Sequence, residues 1–211
     1  MDTYKETFET WNKVAQLYQD KFMDLDLYND TYDQFCEQLP TINSAILEIG
    51  CGPGNITKYL LNKRPDFKIC GVDISPNMIA LTKTNNPNAD FKVMDSREIN
   101  TLQAKFDAII CGFCLPYLSA ADVEKMIKDS NNLLEDKGVL YLSFVEGDKG
   151  PSYQTGSSGD RTYFYYHKLE NLTNALNAND FEIINLVCKD YNKSNETEVH
   201  TIIIARKKTN T

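Results

Sequence analysis

Three glycines at alternate positions, Gly50, Gly52 and Gly54, follow the short apolar run Ala45-Ile46-Leu47-Glu48-Ile49 and precede a segment with helical spacing. Glycines at such a junction let the backbone turn sharply and let a ligand come close. The free N–H groups at the start of the following helix suit an anionic group. The spacing departs from the dinucleotide pattern G-x-G-x-x-G, whose third glycine would fall on Asn55. The next apolar segment ends at Asp73, about 20 residues on, where an acid can accept from both hydroxyls of a ribose. A third ends at Asp95-Ser96-Arg97, and a short acid there can accept from an exocyclic amine such as that of adenine. A glycine bed, a diol acceptor and an amine acceptor thus follow one another at three successive segment ends.

These groups need a scaffold that brings segment ends to one edge, and the patterning supplies it. Short apolar runs (Lys68 to Ile74, Phe91 to Met94, Phe106 to Phe113, Val139 to Val145) alternate with helical stretches (Asn55 to Lys63, Pro76 to Lys83, Ala120 to Glu135, Leu169 to Asn177). Ser75 and Pro76 read as cap and first position of the second of these helices, and Asp136-Lys137-Gly138 as the stop of the third. Such alternation predicts an α/β fold, a mostly parallel sheet with helices on both faces, and ligands collect at the carboxyl edge of such sheets. Phe181 to Lys189 and Val199 to Ala205 close the chain as two strands joined by a turn at 192–196, so one edge strand is expected to be antiparallel. Upstream, Phe8, Trp11, Ala15, Tyr18 and Phe22 mark one face of a helix, and Tyr28, Tyr32, Phe35 and Leu39 continue the spacing up to Pro40. Residues 1–40 are therefore expected to form a helical cover on a core spanning 44–207, all within one domain.

Composition narrows the partners. The 211 residues carry 22 basic and 30 acidic side chains, net charge −8, which repels phosphate backbones and argues against a nucleic-acid substrate. A chain of this length buries about 70% of its unfolded surface without staples. No signal-peptide pattern is visible, and the longest apolar stretch, Ala108 to Leu115, is far below the ~20 residues that cross a bilayer. Six cysteines without a secretory signal suit a reduced, cytoplasmic setting. Cys111-Gly112-Phe113-Cys114 is spaced like a redox pair, but the next helix begins only near Ala120, too late to lower a thiol pKa.

Taken together these segments resemble the class I S-adenosylmethionine-dependent methyltransferases. The E/D-x-G-x-G-x-G motif corresponds to Glu48 through Gly54, the acid of the second strand to Asp73 with Ile74 after it, and the acid of the third to Asp95. Ser75-Pro76-Asn77-Met78 is similar to the family's next helix start, Phe106 to Cys111 to its fourth strand, and Leu133 to Leu140 to its fifth-strand entry. The resemblance is close over 44–145. It implies a seven-stranded sheet whose last strand is antiparallel. It also implies the cofactor S-adenosyl-L-methionine: Glu48, Gly50, Cys51, Gly52 and Gly54 in the binding motif, Asp73 on the ribose, Asp95 and Ser96 at the adenine. Ile74 and Met78 would flank the ring, Cys111 and Phe113 would stand near the methyl-bearing sulfur, and Trp11 and Tyr18 would cover it.

The acceptor is expected after the fifth strand. The Gly/Ser-rich loop 146–160 reads as a lid, and Arg161-Thr162-Tyr163-Phe164-Tyr165-Tyr166-His167 as a pocket wall for a small aromatic or anionic molecule. Tyr117, Tyr153, Arg161, Tyr166 and His167 are the candidate acceptor contacts, His167 the candidate base, and His200 reads as a surface residue of its strand. The segment after the fourth strand lacks the Asn/Asp-Pro-Pro-Tyr of amino DNA methyltransferases. The expected activity is in-line methyl transfer to a small molecule; a protein acceptor, or a non-catalytic cofactor-binding module, are the alternatives.

Overall fold

The computed structural model describes residues 3–156, 158–193 and 197–209. Its centre is a seven-stranded sheet in the order β3-β2-β1-β4-β5-β9-β8. The strands are β1 (Ala45–Ile49), β2 (Lys68–Asp73), β3 (Asp90–Val93), β4 (Phe106–Cys111), β5 (Leu134–Val145), β8 (Phe181–Asn192) and β9 (Thr197–Lys207). The first five are parallel, and β9 runs antiparallel to both β5 and β8. A separate two-stranded ribbon pairs β6 (Ser152–Thr155) with β7 (Arg161–Phe164).

Side chains along the central strands divide between two layers, as the period of two requires. Leu47, Ile109 and Leu140 join a core with Met126 and Ile127 of α6 (Ala120–Leu133) and Leu172 of α7 (Leu169–Ala178). Ile46, Ile110 and Tyr141 pack on the other face with Phe35 of α3 (Asn29–Glu37) and Leu60 of α4 (Asn55–Lys63). Helix α5 (Pro76–Asn85) starts as the sequence predicts, with Ser75 Oγ accepting from the Met78 N–H at 3.1 Å and Pro76 in the first turn.

Four expectations need correction. Asp136-Lys137-Gly138 does not stop α6, which ends at Leu133; these residues lie in β5, whose start pairs Leu134 with Phe106 of β4. The antiparallel strand is the last one, β9, but it lies inside the sheet and β8 forms the edge. The reason is burial: Ile202, Ile203 and Ile204 are apolar on both faces and fully buried, whereas β8 alternates exposed and half-buried residues. The loop 146–160 contains β6 and runs into β7, the two forming the ribbon. The N-terminal cover is two helices, α1 (Thr3–Lys13) and α2 (Ala15–Phe22), broken at Val14, rather than one. Of the turn between the last strands, residues 194–196 lie outside the described residues.

The cover is fastened by polar contacts on two sides. On one, Asn12 Oδ1 accepts from Ser75 Oγ (2.9 Å) and Asn77 N (3.0 Å), and Asn85 Nδ2 donates to Gln19 Oε1 (2.8 Å). On the other, Thr10 Oγ1 donates to Arg161 O (2.8 Å), Tyr163 N donates to Thr7 Oγ1 (2.9 Å), and Arg161 pairs with Glu6 at 2.5 Å. No helix among the described residues is long and apolar enough to cross a membrane.

Candidate functional site

Two chambers open at the carboxyl edge of the sheet. The first lies under the cover and is lined by Gly50, Gly52, Asp73, Ile74, Met78, Asp95 and Ser96, with Trp11 and Tyr18 from the helices above. The second is wider and runs beneath the ribbon to the far end of the sheet. Trp11, Tyr18, Gly50, Gly52, Phe113 and Tyr117 line both, so the chambers share a wall.

The glycine loop is built on backbone that few other residues adopt. Gly50, Gly52 and Gly54 have φ of 69°, 52° and 86°. Gly50 and Gly52 line the first chamber. Gly54 does not; it is the left-handed residue before α4, and a Cβ there would lie 2.2 Å from Thr82 Oγ1 and 2.3 Å from Asn86 Nδ2. Its role is to let α4 and α5 approach. Asp73 ties the loop to the next helix, Oδ2 accepting from Gly52 N (2.9 Å) and Oδ1 from Ser75 N (2.8 Å). Burial raises its carboxyl above the usual range, and the two N–H groups oppose that rise.

Glu48 is 1% exposed beneath the shared wall. Thr57 Oγ1 donates to its Oε2, while Oε1 has no partner among the described residues. Trp11 Nε1 is likewise a buried donor without a partner. Burial pushes Glu48 up to about 8 from an ordinary 4.5. Between those values the folded chain keeps a proton that the unfolded chain releases, so Glu48 removes stability as pH rises through that window. Glu48→Gln is expected to flatten this fall, checked by thermal melts across a buffer series. Equal pH slopes in the two proteins would rule the assignment out.

At the third strand tip Asp95 is largely occupied. It accepts from the Arg97 backbone N (2.9 Å) and from the Arg97 guanidinium at 2.5 and 3.0 Å. Burial raises the Asp95 carboxyl, but these bonds outweigh it and hold the group below its usual range. Arg97 also stacks on Tyr4 at 4.1 Å and lines the first chamber with Met94 and Tyr4, none of which the sequence singled out. Asp95, two residues before it, is the one sequence signal for Arg97.

Other candidates stand away from the chambers. Cys51 and Cys111 are buried among apolar neighbours and line neither chamber. Burial lifts the Cys111 thiol well above its usual range, the opposite of what a redox pair needs. Arg161 stacks on Tyr153 at 4.0 Å while pairing with Glu6, and Tyr166 accepts from Gln154 Nε2 at 3.0 Å. These three side chains hold the ribbon and cover together and do not line either chamber. His167 is also absent from both linings. Its Nε2 donates to Leu115 O at 2.9 Å and burial pushes its pKa down, so the ring is a neutral brace for the 115–117 turn.

His200 corrects the sequence reading most sharply. It is 6% exposed rather than on the surface, and it lines the second chamber with Tyr28, Tyr191 and Glu198. Tyr191 of β8 and Tyr28, just before α3, stack on its ring and cover it. A hairpin partner cannot be read from alternation in one strand.

Residues 46–138 match the family model described as "Methyltransferase domain". The chain is 30% identical over 141 residues to protein 235L of Invertebrate iridescent virus 6, whose name assigns it as a methyltransferase by inference; the match covers 66% of this chain and 50% of that one. It is 32% identical over 108 residues to the trans-aconitate 2-methyltransferase of Escherichia coli, 51% of this chain and 42% of the relative. The chain thus spans half or less of the length of these curated relatives. Its fold matches the 1,6-didemethyltoxoflavin-N1-methyltransferase of Burkholderia thailandensis, solved with that substrate and S-adenosylhomocysteine, at a TM-score of 0.73 and 17% identity over 97% of this chain and 88% of that one.

Proposed function

The chain belongs to the class I S-adenosylmethionine-dependent methyltransferases, and on that premise we propose that it transfers a methyl group to a small molecule held in the second chamber. The shared wall supports this reading: two chambers meeting at Phe113, Tyr117 and the glycine loop would hold a cofactor and an acceptor side by side.

The residues of the first chamber fit the cofactor. Asp73 offers a half-buried charged acceptor to the ribose hydroxyls. Gly50 and Gly52 let the backbone approach the methionine portion, and Ile74 and Met78 offer apolar flanks to the adenine beside Asp95 and Ser96. At the shared wall two partnerless groups suit a zwitterion, with the Trp11 indole N–H for a carboxylate and, from the second chamber's side, Glu48 Oε1 for an ammonium, which would also draw the proton off Glu48. When bound, the cofactor supplies a methyl group on a sulfonium sulfur, which keeps the C–S electron pair as the acceptor's lone pair takes the methyl. The protein's contribution is orientation and exclusion of water under α1 and α2, and orientation alone is worth ~7–11 kcal/mol in favourable cases. The acidic balance of the chain supports an acceptor other than nucleic acid.

Incubation with methyl-labelled cofactor and a fractionated metabolite extract tests the proposal, with label expected in a small-molecule fraction. Trp11, the single tryptophan, stands in the wall of both chambers, so its fluorescence reports S-adenosylhomocysteine binding in the same samples. A fluorescence change without label transfer to any fraction would identify a binding module instead, and label on protein alone a protein acceptor.

A further inference from the structure

The far wall of the second chamber holds a hydrogen-bonded series that the cofactor does not need. His200 Nδ1 lies 2.7 Å from the Tyr28 hydroxyl, and Nε2 lies 3.5 Å from Glu198 Oε2, at the outer limit of hydrogen-bond reach. Lys193 Nζ is 2.6 Å from Glu198 Oε1. An ionised carboxylate only accepts, so the network assigns the ring proton to Nε2. Nδ1 is then a free lone pair that takes the Tyr28 O–H. Burial holds the Tyr28 phenol protonated, and although burial alone would raise Glu198, its bonds with His200 and Lys193 keep it ionised.

The ring is held from several elements. Tyr191 stacks on it at 4.8 Å with 12° between planes, and Phe113 packs at 4.8 Å. Phe113 also touches Tyr28 at 4.9 Å and belongs to the wall shared with the first chamber. The relay therefore stands one aromatic ring away from that chamber. The remaining charges nearby are engaged elsewhere: Lys189, opposite His200 in the β8–β9 register, pairs with Asp30 at 2.6 Å, and Glu146 accepts from Thr201 Oγ1 at 2.6 Å.

Resting on the methyl-transfer reading above, we propose that Tyr28 and His200 form a proton relay, positioned by Glu198, that deprotonates an acceptor bearing an aromatic or enolic O–H or a ring N–H. The acceptor's proton passes to the Tyr28 oxygen as the phenol proton passes to His200 Nδ1, giving an imidazolium beside the Glu198 carboxylate. The lone pair freed on the acceptor is the one that takes the methyl, and the imidazolium returns its proton to solvent. A carboxylate acceptor has no such proton to lose at neutral pH. It would also want cations, and the described cations of this chamber are Lys193, bound to Glu198, and Lys21, which lies 4.9 Å over the Phe22 ring. Tyr28, Phe113, Tyr117, Phe164 and Tyr191 instead offer faces for a flat ring.

The test uses 4-nitrophenol, whose phenolate absorbs visibly, titrated against the full chain saturated with S-adenosylhomocysteine. The bound phenol is expected to ionise about one pH unit or more below the free phenol, a tenfold shift in its proton equilibrium. His200→Asn and the milder Tyr28→Phe are expected to abolish the shift, and Glu198→Gln to reduce it, with melting curves verifying that each variant folds. An unshifted midpoint, a shift unchanged in both His200→Asn and Tyr28→Phe, or binding of trans-aconitate but not of the phenol would overturn the relay. S-adenosylhomocysteine binding is followed separately by Trp11 fluorescence, so its loss would indict the cofactor reading instead.

Discussion

Asp73→Ala is expected to weaken S-adenosylhomocysteine binding by about a hundredfold or more. A charged acceptor in a buried site contributes roughly 1.5–3 kcal/mol for each hydrogen bond it receives, and two ribose hydroxyls lost together amount to about 3 kcal/mol at the lower bound, which is roughly a factor of 100. The substitution also removes the acceptor for Gly52 N and Ser75 N, which loosens the glycine bed and the start of α5 together. Asp73→Asn retains one acceptor oxygen and should lose less. Burial raises the Asp73 carboxyl, so affinity should decline as pH falls through that raised value, where the protonated acid accepts poorly. Calorimetry at several pH values decides the matter; a Kd for Asp73→Ala within threefold of the parent would remove Asp73 from the ribose.

Gly54→Ala carries the largest expected effect on stability. The residue has φ of 86°, and the added methyl meets Thr82 Oγ1 and Asn86 Nδ2 at 2.2 and 2.3 Å. Asn86 Nδ2 also donates to the Gly54 carbonyl at 3.0 Å, so relieving the clash sacrifices that bond. Left-handed strain with overpacking costs roughly 2–4 kcal/mol, which in a chain of this size lowers Tm by about 5–15 °C. Gly150→Ala is the control, because a Cβ there meets nothing within 4 Å. A Tm for Gly54→Ala within a degree of that control would show that α4 and α5 do not depend on this close approach.

Much of the first chamber is legible in the sequence. The turn after β1 needs left-handed backbone, and only glycine adopts it cheaply, so Gly50, Gly52 and Gly54 announce it. Asp73 terminates an apolar run and so must sit at a strand tip, and Ser75-Pro76 is a local capping signal that the structure realises. Gly54 shows the limit of this reading: its backbone was foreseeable, but its side-chain space faces α5 rather than a ligand. Asp95 shows another, because its guanidinium partner two residues on takes up most of its accepting capacity.

The second chamber was hardly legible. The aromatic run 161–167 reads as a pocket wall, yet Arg161 and Tyr166 fasten the ribbon and His167 braces the 115–117 turn. His200 reads as a surface residue because alternation in one strand names two faces without saying which is covered. That choice depends on β8 folding back along β9 and on Tyr28 arriving from 172 residues upstream.

The sequence by itself determined the α/β class, the parallel core, the glycine loop and the acid at Asp73, since each follows from local backbone sterics or from short-range burial patterns. Only the tertiary structure decided that β9 lies inside the sheet, that the cover is fastened to α5 and the ribbon, and that Tyr28, His200 and Glu198 meet. Those are contacts between distant segments, selected by the total burial and hydrogen bonding of the assembled sheet, and no local pattern carries that information.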